Sequence, residues 1–141
     1  MTKGYVLDTS AILTFAKGEA GCDTVEDILL GAGKGKHHTY ISFITLMELY
    51  YVTWQAQSEA AAKEMVILVK ALPVQKIDSN ERISLAAGRI KANYRLSVAD
   101  AFIAATAMDK GATLVHKDPE LVPLSEHIDI LQLPFKPGRS R

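Results

Sequence analysis

The sequence predicts an α/β fold, with a mostly parallel central sheet of four to five strands and helices on both faces. Three observations predict it. Short apolar runs of strand length alternate with longer, helix-length segments along the chain. Two of the runs, Tyr5-Val6-Leu7 and Thr113-Leu114-Val115, lead into carboxylates, Asp8 and Asp118. Open α/β sheets carry their ligands at that C-terminal edge. Apolar residues make up 48% of the 141, enough for a real core and too many for a disordered chain.

The elements follow in order. Tyr5 to Asp8 reads as the first strand. A helix from Thr9 or Ser10 to Lys17 stops at Gly18. Asp23 or Thr24 caps a second helix with Val25, Ile28, Leu29 and Leu30 on one face. Gly31 to Lys36 reads as a loop and His38 to Ser42 as the second strand. Helices from Thr45 to Gln57 and Ser58 to Leu72 come next; Pro73 ends the latter, and Val74 to Ile77 is a short strand. Ser79 caps a helix to about Tyr94. Ser97 opens a compact one, Val98 to Asp109, closed by Gly111. Thr113 to Val115 is a buried strand, Asp118-Pro119 a turn, and Ile128 to Leu131 the last strand. No repeat or linker divides the chain, so residues 1–133 read as one domain and 134–141 as a basic, flexible tail.

Lys+Arg and Asp+Glu both number 16, so bulk charge does not advertise a nucleic-acid binder. A polyanion would have to be held by a local basic patch or through a metal. The single cysteine, Cys22, excludes a disulfide framework and a cysteine zinc site. With no leader-like or membrane-length apolar segment, this agrees with a cytoplasmic setting.

Most of the acids read as ordinary solvated surface. Four do not. Asp8 and Asp118 follow strands, Glu48 sits in the apolar run Ile44-Thr45-Leu46-Met47-Glu48-Leu49-Tyr50-Tyr51-Val52, and Asp100 lies in the first turn of an apolar helix. Each has an ordinary explanation: Asp8 as a helix cap, Asp100 as the capping-box partner of Ser97, Asp118 as the opening of an Asp-Pro turn. Glu48, on a helix that looks buried on most sides, would be costly unless paired or metal-bound. Taken together the four share one geometry. Two carboxylates about 4 Å apart repel by roughly 4 kcal/mol at an effective dielectric near 20. A hard divalent ion removes that penalty, and an all-oxygen donor set favours Mg²⁺ or Mn²⁺ over Zn²⁺. Such an ion can bind a phosphate oxygen, activate water and stabilise a leaving oxygen, which suits phosphodiester hydrolysis.

These residues resemble the PIN-domain ribonucleases, specifically the VapC toxin branch. Tyr5 to Ala11 is similar to the family's opening strand and first acid, and Ser42 with Glu48 to its second motif. The most specific match is Leu96-Ser97-Val98-Ala99-Asp100-Ala101-Phe102-Ile103-Ala104-Ala105-Thr106-Ala107; Ala112 to Asp118 resembles the fourth motif. One position departs. The family often has Thr or Ser two residues before its last acid, where this chain has His116. The resemblance implies a three-layer α/β/α sandwich and a cleft in which Asp8, Glu48, Asp100 and Asp118 bind Mg²⁺ or Mn²⁺. Asp8 and Asp100 would be the main ligands, Glu48 and Asp118 would complete the shell or hold waters, and Ser10 would hydrogen-bond nearby. It also implies endonucleolytic RNA cleavage, a homodimer, and a small antitoxin that blocks the site. A housekeeping RNA-processing nuclease and a catalytically weak dimeric binding module stay open beside the toxin.

Other features are weaker. Gly31-Ala32-Gly33-Lys34-Gly35-Lys36 is one residue short of a phosphate loop and follows a helix; it reads as a basic loop. A haloacid-dehalogenase phosphatase would need an acid where Ser10 stands. His116 and Lys117, beside the proposed metal site, are candidates for holding phosphate against a default of surface exposure. Tyr50, Tyr51 and Trp54 have helical spacing and read as core or dimer packing before base stacking.

Overall fold

The computed structural model describes residues 3–135. Strands β1 (Gly4–Leu7), β2 (His38–Ser42), β3 (Gln75–Ile77), β4 (Thr113–His116) and β5 (Ile130–Gln132) form one sheet. The helices are α1 (Thr9–Lys17), α2 (Cys22–Gly33), α3 (Phe43–Ala56), α4 (Glu59–Ala71), α5 (Glu81–Asn93) and α6 (Val98–Lys110), with a 3₁₀ helix over Pro119–Glu126. The strand order is β3-β2-β1-β4-β5, and every pairing is parallel. From β1 the chain first builds outward through β2 and β3. It then returns to the other side of β1 for β4 and β5. The order therefore reverses between β1 and β4, and the crevice beyond their C-terminal ends is where such sheets bind ligands.

Alternation along the central strands sends successive side chains to opposite faces. Val6 and Leu114 pack with Ile83, Ile90, Ile103 and Leu121 on the side of α5, α6 and the 3₁₀ helix. Leu7 and Val115 pack with Ile12, Val25, Ile28 and Leu49 on the side of α1 to α4. These two cores make the three layers. Helix α6 buries Ala101, Ala104, Ala105 and Ala107, whose small side chains let it lie close to the sheet.

Several boundaries differ from the sequence expectation. α2 starts on Gly21, whose φ of 98° closes the turn without a side-chain cap, so neither Asp23 nor Thr24 takes that role. It also runs on to Gly33, taking the first three residues of the expected glycine loop and leaving Lys34 to Lys36 as the turn. Gly31 is buried there because the His37 ring lies against it; a Cβ would stand 2.4 Å from His37 Cε1. Ser42 caps α3, two residues early, and Asn80 caps α5 in place of Ser79. The expected Asp118-Pro119 turn continues as the 3₁₀ helix, which moves β5 to Ile130–Gln132. α3 is not buried on most sides: Met47, Tyr51 and Trp54 are about half exposed, and Tyr50 packs edge-on against Trp54. The tail expected over 134–141 lies, from residue 136 on, outside the described residues.

Candidate metal centre

β1 ends at Leu7, and the next residue, Asp8, is the N-cap of α1 with 2% exposure. Its backbone stays tied to the sheet, since Asp8 N–H donates to Val115 O at 2.9 Å. One carboxylate oxygen, Oδ2, accepts the Ser10 N–H at 3.0 Å and a short bond from the Ser10 hydroxyl. The other, Oδ1, is buried with no hydrogen-bond partner among the described residues. Asp8 therefore takes the capping role the sequence allowed, and that role uses only half of its carboxylate. One oxygen caps the helix, and the other is left for something else.

Four further acids face the same crevice. Glu48, half-buried on α3, accepts a 2.5 Å hydrogen bond from the Thr9 hydroxyl. Asp100, buried in the first turn of α6, gives its N–H to Ser97 Oγ at 3.0 Å. Its carboxylate lies with those of Asp118 and Glu120, with oxygens within 4.8 Å of one another. Asp118 caps the 3₁₀ helix by accepting the Glu120 N–H at 3.0 Å, and that turn swings Glu120 into the group. Asp8 and Glu48 lie outside the tight triple, but their charges act on it.

The electrostatics of the acids follow from burial first and from one another second. Burial, with the charges of Glu48 and Asp118, raises the Asp8 carboxyl from 3.8 to about 6 against the lowering hydrogen bonds from Ser10. Burial first, then Asp8, Asp118 and Glu48, raise the Asp100 carboxyl to about 8. Protein groups alone thus leave negative charge uncompensated and one buried carboxylate oxygen orphaned. An all-oxygen donor set around an unpartnered carboxylate fits a hard divalent cation.

The neighbours differ from a solvated surface. His116 is fully buried in β4, its Nδ1 accepting the Asp118 N–H at 3.0 Å. The ring nitrogen that carries the proton is then Nε2, buried without a hydrogen-bond partner among the described residues. Burial holds the imidazole below its ordinary pKa, hence neutral. Lys117 is also mostly covered and gives its N–H to Ser10 Oγ at 2.9 Å. The surface default for these two residues is corrected: β4 is central, so its end lies inside the molecule.

All four sequence-predicted acids reach one crevice, with Ser10, His116 and Lys117 around them. Thr9 and Glu120 were missed by sequence reading. His37, just after the glycine cluster, is engaged within the fold: its Nε2 is bonded to Ile28 O at 2.7 Å and its ring packs on Tyr5. Among the described residues no helix is long and apolar enough to cross a membrane.

A family model described as the PIN domain matches residues 5–125. No curated protein matches the chain. Among solved structures, VapBC2 from Rickettsia felis bound to a promoter DNA fragment matches with TM-score 0.74 and 19% identity, over 93% of this chain and 99% of that one. DNA-bound VapBC from Salmonella typhimurium matches with TM-score 0.72 and 22% identity, over 94% and 98%. VapC20 from Mycobacterium tuberculosis, described as a sarcin-ricin loop cleaving toxin, matches with TM-score 0.69 and 15% identity, over 92% and 99%.

Proposed function

Because the chain belongs to the PIN-domain family, we propose that it is a metal-dependent endoribonuclease and the toxin of a VapBC-type pair. The observation that carries the chemistry is the pairing of an orphaned, buried Asp8 Oδ1 with an Asp100 carboxyl raised to about 8 by burial first and by its acidic neighbours second. Asp8 and Asp100 would hold Mg²⁺ or Mn²⁺, with Glu48 and Asp118 completing the donor set and Glu120 adding a fifth carboxylate. A bound divalent ion supplies charge neutralisation for the phosphodiester and lowers the pKa of water.

The chain's own residues set up the rest. Ser10 fixes the Asp8 carboxylate through two hydrogen bonds to one oxygen, leaving the other turned inward. Thr9 fixes one oxygen of Glu48. His116 fixes the backbone of Asp118 and, being neutral, adds no charge to the site. Bonds within the protein thus orient Asp8, Glu48 and the backbone of Asp118.

The likeness to VapBC complexes supports a small antitoxin protein as partner and a homodimer as the working form. We read residues 1–133 as one nuclease domain acting on RNA in the cytoplasm. The test is cleavage of defined RNAs by the purified chain in Mg²⁺ or Mn²⁺, with EDTA, Asp8→Asn and Asp100→Asn as controls. Cleavage that survives all three controls would sink the proposal.

A further inference from the structure

Next to the acids, a cleft of about 300 Å³ lies between α1, the turn after it and the segment beyond β4. Its walls include Ser10, Lys17, Glu19, Lys117, Pro119 and Phe135. It shares a wall with the metal centre, because Ser10 Oγ bonds the Asp8 carboxylate and accepts the Lys117 N–H. The polar groups are unevenly matched. The Lys117 side chain is 10% exposed, and its ammonium lies 3.5 Å from Glu19 Oε1. That ammonium is buried with no hydrogen-bond partner among the described residues. An ammonium has three N–H donors, and burying them unused is costly. A phosphate oxygen would take them in a charge-assisted bond. Lys17 adds a second cation, so two lysines face one glutamate on these walls. Phe135, 41% exposed, adds an aromatic face beside Pro119.

We propose that this cleft is the subsite for the nucleotide adjoining the scissile bond, with its phosphate on Lys117 and Lys17 and its base or ribose against Phe135. A cation beside an aromatic platform is how single strands are held without reading their sequence. The proposal rests on the ribonuclease reading and adds how the strand is positioned. It also reconciles an RNA substrate with zero net charge: the basic groups needed are local, Lys117 mostly covered and Lys17 on the exposed face of α1. Glu19 then acts as a placeholder that keeps the Lys117 ammonium in position until phosphate replaces it. The competing role is a structural latch, in which Lys117 and Glu19 only fasten the turn after α1.

The test is the affinity of a labelled short single-stranded RNA for the full chain, followed across a salt series in Ca²⁺, with the RNA verified intact afterwards. Lys117→Gln should lower the slope of log Kd against log salt by about 0.7. Lys117→Arg should keep the slope. Phe135→Ala should weaken binding by about fivefold or more. Glu19→Gln should bind at least as tightly as the unaltered chain. Equal losses in Lys117→Gln and Glu19→Gln would establish the latch and overturn the subsite, as would an unchanged slope or no RNA binding at all. An effect of Lys117→Gln confined to an acidic peptide would assign the cleft to a protein partner and also overturn it. If the chain cleaves RNA but these variants bind normally, only the subsite falls. If they bind as expected but nothing is cleaved with any divalent metal, only the ribonuclease reading falls.

Discussion

The hydroxyl of Thr9 donates to Glu48 Oε1 at 2.5 Å, joining the first turn of α1 to the middle of α3 across 39 residues of sequence. Thr9 is buried, so this bond is shielded from competing water. It occupies one carboxylate oxygen and leaves the other for the crevice. Thr9→Val keeps the shape and removes the bond. We expect the fold to persist and Mn²⁺ affinity to fall about tenfold, as when a group orienting a ligand is lost. Calorimetric titration with Mn²⁺ checks this; unchanged affinity would leave Thr9 a packing residue only.

The metal-free protein should lose stability as pH rises. Burial, aided by neighbouring acids, raises Asp8 to about 6 and Asp100 to about 8 from 3.8. A raised folded-state value means the native protein holds these protons more tightly than the unfolded chain. That contribution is complete below the unfolded value. It is lost as pH climbs through about 6 for Asp8 and about 8 for Asp100. At about 1.4 kcal/mol per pKa unit, the Asp8 shift alone is worth on the order of 3 kcal/mol. Melting curves in EDTA between these limits should fall with pH, and Mn²⁺ should restore the midpoint most at the alkaline end. A flat profile in EDTA would contradict the clustering of acids.

Asp8→Asn and Asp8→Ala should separate capping from charge. Asn retains an oxygen able to accept the Ser10 N–H, whereas Ala leaves α1 uncapped. In EDTA above neutral pH, Asp8→Asn should match or exceed the parent in stability, because a buried charge is gone. Asp8→Ala should fall below Asp8→Asn by about 1 kcal/mol. Both should lose metal-dependent cleavage by on the order of a hundredfold or more. Denaturant melts beside a cleavage assay distinguish the two effects.

What was legible in the sequence follows from which signals are local. Asp8 and Asp118 could be placed because strands of Val and Leu end beside them, and a parallel sheet gathers such ends. Asp100 could be placed because Ser97 marks the start of its helix. Glu120 could not, since its approach to Asp100 depends on a 3₁₀ helix where Asp-Pro suggests only a turn. Thr9 could not, because its partner is remote in sequence. Gly31 misled in the other direction: a glycine cluster reads as loop, but the His37 ring needs that missing Cβ inside α2. The apolar run around Glu48 overstated burial, because half of the α3 surface carries Met47, Tyr51 and Trp54 outward.

His116 should behave as a positioning residue for Asp118. Its Nδ1 accepts the Asp118 N–H at 3.0 Å, in a ring with no solvent exposure. That bond fixes the start of the turn from which both Asp118 and Glu120 project. His116→Asn offers an amide oxygen near the Nδ1 position and gives up part of the ring's volume. His116→Ala gives up the volume and also strands the Asp118 N–H. The cavity term should destabilise both variants, by roughly 2 kcal/mol or more. The hydrogen bond should then separate them by about 1 kcal/mol. Metal affinity adds the decisive comparison, because a purely structural role would not move it once both proteins are folded. His116→Ala should bind Mn²⁺ about tenfold more weakly than His116→Asn, as expected when a ligand loses its orienting partner. Equal Mn²⁺ affinities would assign the imidazole to packing alone.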